Sequence, residues 1–278
     1  MHKEYYTVIT GASEGFGKAL SLECARRGMN LILVALPGDE LEQLARFIQQ
    51  DYAVKTICIA HDLTRKEECY KLLEKINDAG LAVNILINNA GMGGSHYFGE
   101  RDTEYYHRQI GLNVVAPTLL THLFLESLKQ HSPSYILNVG SLAGFFNLPL
   151  KQVYGGTKSY IASFSKSLRE ELKHKNVFVS AVCPGGMNTT LALILQNRSL
   201  SGISRWSVMN PEEVAKIAID DMLRKKAIII PGFWNKLFVL MDKLLPNWLK
   251  ELIISRKMKK QSFDLPVSIN RSIRPQLQ

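Results

Sequence analysis

The chain contains 278 residues, of which 46% are hydrophobic, and it carries a formal net charge of +9. This length is sufficient for one large hydrophobic core or at most two domains. No stretch approaches the roughly 20 consecutive apolar residues of a membrane span, and the residues before the first predicted strand leave no room for a signal peptide. Much of the charge lies near the C-terminus, with five Lys or Arg in residues 250–260. Because no basic strands are interleaved with aromatic residues, we expect no nucleic-acid partner.

The cysteine pattern indicates a reducing compartment. The four cysteines, Cys24, Cys58, Cys69 and Cys183, are scattered without the spacing of a metal or redox site. We therefore predict reduced thiols in a cytoplasmic protein, with no disulfide and no metal site.

The first predicted elements form a phosphate-binding turn. Tyr5–Thr10 is a short apolar strand, Gly11–Gly17 has the spacing Gly-x-x-x-Gly-x-Gly, and a helical pattern then continues to Gly28. Glycines let a backbone approach a pyrophosphate closely, and the N-terminus of the helix supplies amide donors and a positive dipole. A lone glycine cluster is compatible with a plain tight turn, but its place between strand and helix favours nucleotide binding.

The end of the second predicted strand bears on cofactor choice. Asn30–Ala35 is a continuous apolar run, as expected for a strand buried on both faces. An acidic residue after it would bind the 2′-hydroxyl of NAD, and an arginine would bind the 2′-phosphate of NADP. Leu36 provides neither group, and we predict that Asp39 is the N-cap of a helix over residues 40–50.

The third and fourth predicted strands also end in polar residues. Val54–Ala60 precedes Asp62, a candidate for an adenine edge, and Thr64 is a predicted N-cap for a helix over 65–79. Val83–Ile87 leads into Asn88–Gly91, where amides and a glycine suit either a ligand-side bend or a plain turn.

A long helix is predicted next. Residues 92–104 have the composition of a loop, and Tyr105–Leu128 forms one helix or two abutting helices. Asn113 lies in this helix shortly before Pro117, which would kink it and free backbone groups for a polar ligand or water.

The fifth strand, Ser134–Gly140, delivers Ser141. If residues 150–172 are helical, Tyr154 and Lys158 share one face, one turn apart. An ammonium group there would lower the pKa of the phenol, and Ser141 would hydrogen-bond a substrate oxygen. This combination suits the interconversion of an alcohol and a carbonyl, although Tyr-x-x-x-Lys alone also fits a solvated helix face.

The alternation of strands and helices continues through Val177–Cys183, a turn over 184–189, and a seventh strand at Ala227–Ile230. The sequence therefore predicts an α/β fold with a doubly wound parallel sheet of about seven strands, Rossmann-like, in a single domain with a C-terminal helical extension. Ligands bind such sheets at the carboxyl ends of the strands, which is where the polar motifs fall.

The C-terminal third carries two apolar segments. We predict a substrate lid over about 190–210, which includes Trp206, and infer a bulky lipophilic substrate. The alternative is a lid that packs on its own core. Residues 233–260 form an amphipathic helical extension, suited to core packing, a dimer contact or weak attachment to a membrane surface. The predicted oxidoreductase domain spans 1–260, and 261–278 has the composition of a disordered tail.

These motifs together resemble the short-chain dehydrogenase/reductase family over roughly residues 5–190. The matching motifs, in order, are Thr10–Gly17, Asn88–Gly91, Asn113, Ser141, Tyr154 with Lys158, and Pro184 with Gly185.

The resemblance implies roles for individual residues. Tyr154 would be the general acid or base, and Lys158 would lower its pKa and hold the nicotinamide ribose. Ser141 would polarise the carbonyl, and Asn113 would anchor a proton-relay water. The implied cofactor contacts are Gly11, Ser13, Gly15, Phe16, Gly17, Asp62, Leu63, Asn89, Ala90, Gly91, Tyr154, Lys158, Pro184, Gly185 and Thr189.

The expected function is interconversion of a carbonyl and a secondary alcohol on a steroid-like, fatty-acyl or sphingoid-type substrate, in a homo-oligomer. NADP(H) is favoured because no acidic residue follows the second strand, but Leu36 replaces the expected arginine, so NAD(H) stays open. The alternative is a regulatory or scaffold protein that binds the cofactor without turnover.

Overall fold

The computed structural model describes residues 4–198, 203–246 and 248–250. Its strands are β1 (Tyr5–Thr10), β2 (Asn30–Ala35), β3 (Thr56–Ala60), β4 (Ala82–Asn88), β5 (Ser134–Val139), β6 (Val177–Val182) and β7 (Ile228–Ile229). They form one parallel sheet in the order β3-β2-β1-β4-β5-β6-β7. The strand order reverses between β1 and β4, which opens a crevice at their carboxyl ends. The predicted doubly wound fold is confirmed.

Helices cover both faces of this sheet. They are α1 (Gly15–Arg26), α2 (Asp39–Tyr52), α3 (Lys66–Asp78), α4 (Thr103–Ile110), α5 (Ala116–Gln130), α6 (Gln152–Leu172), α7 (Leu191–Arg198), α8 (Ile203–Trp206), α9 (Pro211–Leu223) and α10 (Phe233–Leu244). Adjacent strand residues point to opposite faces, so Val8 packs in the core with α3 and α5, whereas Ile9 packs in the core with α1, α2 and α9.

Two predicted helix caps are wrong. Gly38, not Asp39, is the N-cap of α2, and Asp39 is the first helical residue, where its carboxylate complements the helix dipole. Arg65, not Thr64, is the N-cap of α3. Thr64 instead donates its backbone N–H and its hydroxyl to Asp62 Oδ1, at 3.1 and 2.7 Å. Asp62 thus forms its own turn at the end of β3.

The stretch Thr103–Gln130 is long and apolar enough to cross a membrane, by length and a mean hydropathy of 1.2 alone. In the structure it comprises α4, a π-helical turn at Gly111–Val115 and α5. Leu120 and Phe124 on α5 are fully buried in the core beside the sheet. Packing in the core therefore accounts for part of this apolar character, since 33% of the apolar window is buried.

The chain divides into two compact units, Met1–Val239 and Leu240–Gln278. The first contains the whole sheet. In the second, Leu240 and Leu244 are exposed on α10, and Lys250 pairs with Asp242 at 3.1 Å. Most of the predicted basic run at 250–260 and the predicted tail at 261–278 lie outside the described residues, so the domain boundary near 260 stays a prediction.

Candidate active site

A cleft of about 880 Å³ opens at the carboxyl ends of the strands. All the predicted cofactor contacts line it, together with Ser141, Tyr154 and Lys158. Asn113 is buried behind the lining and does not reach the cleft. The topology thus brings together predicted cofactor contacts that are separated by up to 178 positions in the chain, from Gly11 to Thr189.

The glycine turn forms a close-fitting cradle at one end of the cleft. A Cβ atom at position 17 would lie 1.8 Å from the Gly11 carbonyl oxygen, so only glycine fits there. Gly15 has φ +52°, and a Cβ there would meet the Thr189 side chain at 3.3 Å. Within the described residues, no side chain caps the N-terminus of α1. The turn therefore offers uncapped amides and an open backbone surface, which fit a pyrophosphate.

The cradle is held by the end of β4. Asn89 Nδ2 donates to the carbonyl oxygens of Thr10 and Gly11, at 2.9 and 3.0 Å. Thr10 Oγ1 in turn accepts the backbone N–H groups of Asn89 and Ala90, both at 3.0 Å. The Asn89 side chain therefore shapes the glycine turn from within the protein.

The cleft is apolar where β2 ends. Leu36 lines the cleft there with 62% of its surface exposed. Its side chain offers the cofactor neither a carboxylate nor a guanidinium group. His61 and Asp62 line the neighbouring end of β3, and the His61 ring is hydrogen-bonded to the Glu68 carboxylate. A hydrogen bond from Lys71 lowers the pKa of Glu68 to about 2, and the hydrogen bond with His61 makes a smaller contribution in the same direction.

Tyr154 and Lys158 project from the first two turns of α6 into the cleft. Burial raises the pKa of the Tyr154 phenol above its ordinary value of 10, and a hydrogen bond with Ser141 only partly opposes this. The direction is opposite to the predicted lowering by Lys158. Lys158 Nζ instead donates to the Val139 carbonyl at 2.8 Å and lies 5.8 Å from the centroid of the Tyr154 ring. Burial lowers the pKa of Lys158 itself to about 8.

Ser141 is fixed at the start of the segment between β5 and α6. Its Oγ accepts the backbone N–H of Ala143 at 3.1 Å and caps a short 3₁₀ turn at Leu142–Gly144. A Cβ atom on Gly144 would lie 2.6 Å from the backbone of Lys158, so this turn packs directly on α6. The close contact holds Ser141 beside Tyr154.

Asn113 lies in the π-helical turn and supports the site from behind. Its Nδ2 donates to the Met92 carbonyl at 3.0 Å and to Thr157 Oγ1 at 3.1 Å. Thr157 donates in turn to the backbone carbonyl of Tyr154 at 2.7 Å. π turns are common at functional sites because they redirect one side chain out of helical register. Pro117 lies in the first turn of α5, directly after this π turn, and the predicted kink stays a prediction.

Two buried amides also shape the cleft: Asn88, the first residue of the predicted Asn88–Gly91 motif, and Asn235, which sequence reasoning missed. Asn88 Nδ2 donates to Thr121 and to Asn138, at 3.1 and 2.8 Å, and so ties β4 to α5 and β5. Asn235, at the start of α10, donates to the Pro231 carbonyl at 2.8 Å, and a Cβ atom on Gly185 would lie 2.7 Å from its Oδ1. Asn235 has no local signal, because only the tertiary fold makes it buried.

The substrate end of the cleft is mostly apolar. Lys151 also lines this part, beside Tyr154, and was not singled out from the sequence. Within the described part of the predicted lid, α7 and the segment after α8 contribute to the lining. The further lining residues there are Leu142, Phe146, Leu148, Met187, Leu193, Asn197 and Ser207.

Comparison with known proteins identifies the family. The sequence model for short chain dehydrogenase matches residues 6–198. The very-long-chain 3-oxoacyl-CoA reductase of Macaca fascicularis is 34% identical over 193 residues, which cover 68% of this chain and 61% of that protein. This chain therefore matches about three-fifths of that relative's length.

Two solved structures share the fold over almost the whole chain. A short-chain dehydrogenase from Sphingobium yanoikuyae, in complex with NADPH, is 26% identical with a TM-score of 0.74 and covers 99% of both chains. The bulky-bulky ketone specific alcohol dehydrogenase from Comamonas testosteroni is 27% identical with a TM-score of 0.73, over 99% of this chain and 96% of that one. With its motifs assembled in one cleft and more than half its length matched, the chain belongs to the short-chain dehydrogenase/reductase family.

Proposed function

We propose that the protein is an NADP(H)-dependent oxidoreductase that interconverts a carbonyl and a secondary alcohol on a bulky lipophilic substrate. One observation carries the proposal. Tyr154, Ser141 and Lys158 meet in a single cleft that has a glycine cradle at one end and apolar side chains at the other. This arrangement supplies a proton donor, a hydroxyl for the substrate oxygen, and room for both reactants.

The chain's own groups manage the proton. When bound, the nicotinamide supplies the hydride chemistry. A tyrosine is protonated at neutral pH, and burial raises the pKa of Tyr154 further, so its hydroxyl carries the proton that a carbonyl oxygen would receive. Ser141 is held where it hydrogen-bonds the same oxygen, and Lys158 places a cation behind the phenol that would stabilise the phenolate left by proton donation. These properties favour the reductive direction.

Asn113 keeps the donor in place. It contacts Thr157, which bonds the Tyr154 carbonyl, so the first turn of α6 is tied to the loop after β4. We assign it a positioning role, because its side chain is fully engaged by the protein and does not line the cleft.

The proposed cofactor preference rests on the cleft near β2. Leu36 is neutral, so nothing at that position repels the 2′-phosphate of NADPH as a carboxylate would. The solved relative from Sphingobium yanoikuyae is in complex with NADPH. Both facts support NADPH, which the glycine cradle would hold by its pyrophosphate.

The proposed substrate class rests on the other end of the cleft. Leu142, Phe146, Leu148 and Leu193 make it apolar. The curated relative acts on very-long-chain 3-oxoacyl-CoA, and a solved relative is specific for bulky-bulky ketones. Both names support a carbonyl compound with a large apolar body.

The test uses the purified full-length protein. Binding of NADPH and of NADH is titrated separately by fluorescence, and NADPH oxidation is then followed with a series of ketones that increases in apolar bulk. We expect tighter NADPH binding and a kcat/KM that rises with bulk. Tyr154→Phe should bind NADPH normally and lose about 10²- to 10⁴-fold in turnover. Cofactor binding with no turnover on any ketone would refute the enzyme proposal and favour a regulatory protein.

A further inference from the structure

We propose that His61 binds the 2′-phosphate of NADPH and so supplies the positive group that Leu36 lacks. This inference rests on the proposed function and refines it, since it names the residue that distinguishes NADPH from NADH. The position of His61 beside Leu36, the carboxylate that holds its ring and the charges around it all support this assignment.

His61 lies beside Leu36 at the carboxyl edge of the sheet. Ala35 of β2 pairs with Ala60 of β3, and the backbone N–H of His61 donates to the Ala35 carbonyl at 2.9 Å. Leu36 and His61 are the next residues on these neighbouring strands, which run about 5 Å apart in a sheet. Both line the cleft. Because the residue that recognises the 2′ group of the cofactor follows the second strand in this type of fold, His61 stands within reach of that group.

The Glu68 carboxylate fixes the His61 ring. Glu68 lies in the first turn of α3, and its side chain is only 14% exposed. The hydrogen bond from Lys71, with a smaller contribution from His61, holds the pKa of Glu68 at about 2, so this carboxylate is ionised and only accepts hydrogen bonds. His61 Nδ1 therefore donates to Glu68 Oε2. Within the described residues, His61 Nε2 has no hydrogen-bond partner, so this nitrogen is available to a ligand.

A phosphate at Nε2 would place the ring between two anions. Opposite charges nearby favour the charged form of a titratable group, so Glu68 and the phosphate together stabilise an imidazolium. Both nitrogens of an imidazolium donate, and one ring can therefore bond both anions. NADH has a hydroxyl in place of the phosphate and gives the ring no second anion. The difference in charge thus discriminates between the two cofactors.

The charges around His61 single it out at this end of the cleft. The described lining residues after β2 and β3 are Leu36, His61, Asp62, Leu63 and Thr64, of which only His61 can carry a positive charge. Asp62 is the acidic group among them, and its Oδ1 accepts two hydrogen bonds from Thr64, at 3.1 and 2.7 Å. The ammonium groups of Lys151 and Lys158 lie 5.6 and 5.8 Å from the centroid of the Tyr154 ring, at the reacting end.

The pair of His61 and Glu68 also connects the end of β3 to α3, and this connection has a structural role of its own. Such a role would affect NADPH and NADH alike, because the two cofactors differ only at the 2′ position. A change in one affinity without the other therefore distinguishes phosphate binding from structural support.

The experiment titrates the purified full-length protein and its variants with NADPH and with NADH, followed by fluorescence, and so does not depend on turnover. We expect His61→Gln to weaken NADPH binding about tenfold, as the loss of one charge-assisted hydrogen bond would, and to leave NADH binding unchanged. His61→Arg keeps a cation at this position and should keep the preference for NADPH. His122→Gln removes the same ring from an exposed site on α5 outside the cleft, and should change neither affinity.

The outcomes separate this inference from the proposed function. Equal losses of NADPH and NADH affinity in His61→Gln, or a preference for NADPH that survives this substitution, would overturn the inference even if ketones are reduced. A preference lost in both His61→Gln and His61→Arg, or absent from the wild type, would overturn it as well. A preference lost in His61→Gln and kept in His61→Arg would support it even if no tested ketone is turned over.

Discussion

Asn113 and Met92 exchange two hydrogen bonds between a side chain and a backbone. The Met92 N–H donates to Asn113 Oδ1 at 2.7 Å, and Asn113 Nδ2 donates to the Met92 carbonyl at 3.0 Å. The Asn113 amide thereby pairs with the backbone of the loop that follows β4, as the backbone of a neighbouring strand would. It also explains the π turn, which places this side chain towards the loop.

Removal of this amide should destabilise the protein. Asn113→Ala leaves the partly buried N–H of Met92 without its acceptor and deprives Thr157 of a donor, so we expect a loss of about 1 to 3 kcal/mol in the free energy of unfolding. Urea denaturation measures it. Gln109→Ala is the matched control, because Gln109 Nε2 donates to the Met92 carbonyl at 3.2 Å and to no other group in the described part of the chain. A larger loss for Gln109→Ala would contradict this account.

The buried Lys158 should make stability depend on pH. Its pKa falls from 10.5 to about 8 on folding because burial disfavours the charged form. Between about pH 8 and 10.5 the unfolded chain binds the extra proton, so stability should rise with pH across this window. Below pH 8 both states are protonated, and burial of the charge costs about 3 kcal/mol.

The comparison with Lys158→Met isolates this effect from other groups. We expect the variant to be more stable than the wild type by about 1 to 3 kcal/mol at pH 7, although it loses activity. The advantage should shrink as the pH rises towards 10.5. Denaturant unfolding of both proteins at several pH values measures it, and a difference that does not change with pH would disprove the linkage.

Leu36 should set the discrimination between cofactors. Leu36→Arg offers a bidentate donor to the 2′-phosphate, and we expect NADPH affinity to rise about tenfold while NADH affinity stays unchanged. Leu36→Asp should reverse the preference, since a carboxylate repels the phosphate and bonds a ribose hydroxyl. Fluorescence titration of both cofactors tests this. Parallel changes in NADPH and NADH affinity would show that the position is not near the 2′ group.

Two glycines should respond to alanine in opposite directions. A Cβ on Gly17 would meet the Gly11 carbonyl oxygen, so Gly17→Ala should distort the cradle and abolish detectable cofactor binding. Nothing lies within 4 Å of a Cβ on Gly156, which is inside α6. Gly156→Ala should therefore stabilise the protein by about 0.5 to 1 kcal/mol. Equal effects of the two substitutions on thermal unfolding and cofactor titration would be incompatible with the structure.

The central strands are predictable because their signal is local. β1 and β2 match the expected boundaries, since each is a short, mostly apolar segment that ends in a turn. β3 begins two residues later than expected, at Thr56, because Ala53 adopts φ 51° and ends α2 before the chain can pair. At the sheet edge β7 is shorter than expected, since it pairs only with β6.

The sequence predicts which residues line the site, but it does not predict how their pKa values shift. The spacing of Tyr154 and Lys158 places both in the cleft, as expected. The direction of the Tyr154 pKa shift depends on how deeply Tyr154 is buried and, to a lesser degree, on its hydrogen bond with Ser141, neither of which sequence spacing encodes. Lys151 escaped notice for a similar reason, because only the folded cleft shows that it stands among apolar side chains.

The hydrogen bonds between Thr10 and Asn89 show that the cofactor cradle is built from two segments that are far apart in the sequence. The glycines follow β1, whereas Asn89, whose side-chain amide shapes them, follows β4. In the sequence, β2, α2, β3 and α3 lie between the two. A chain cut near Gly80 would yield two fragments, neither of which contains a complete cradle. Recovery of cofactor binding from such fragments would thus report reassembly of the central strand pair, which makes this position suited to a split reporter.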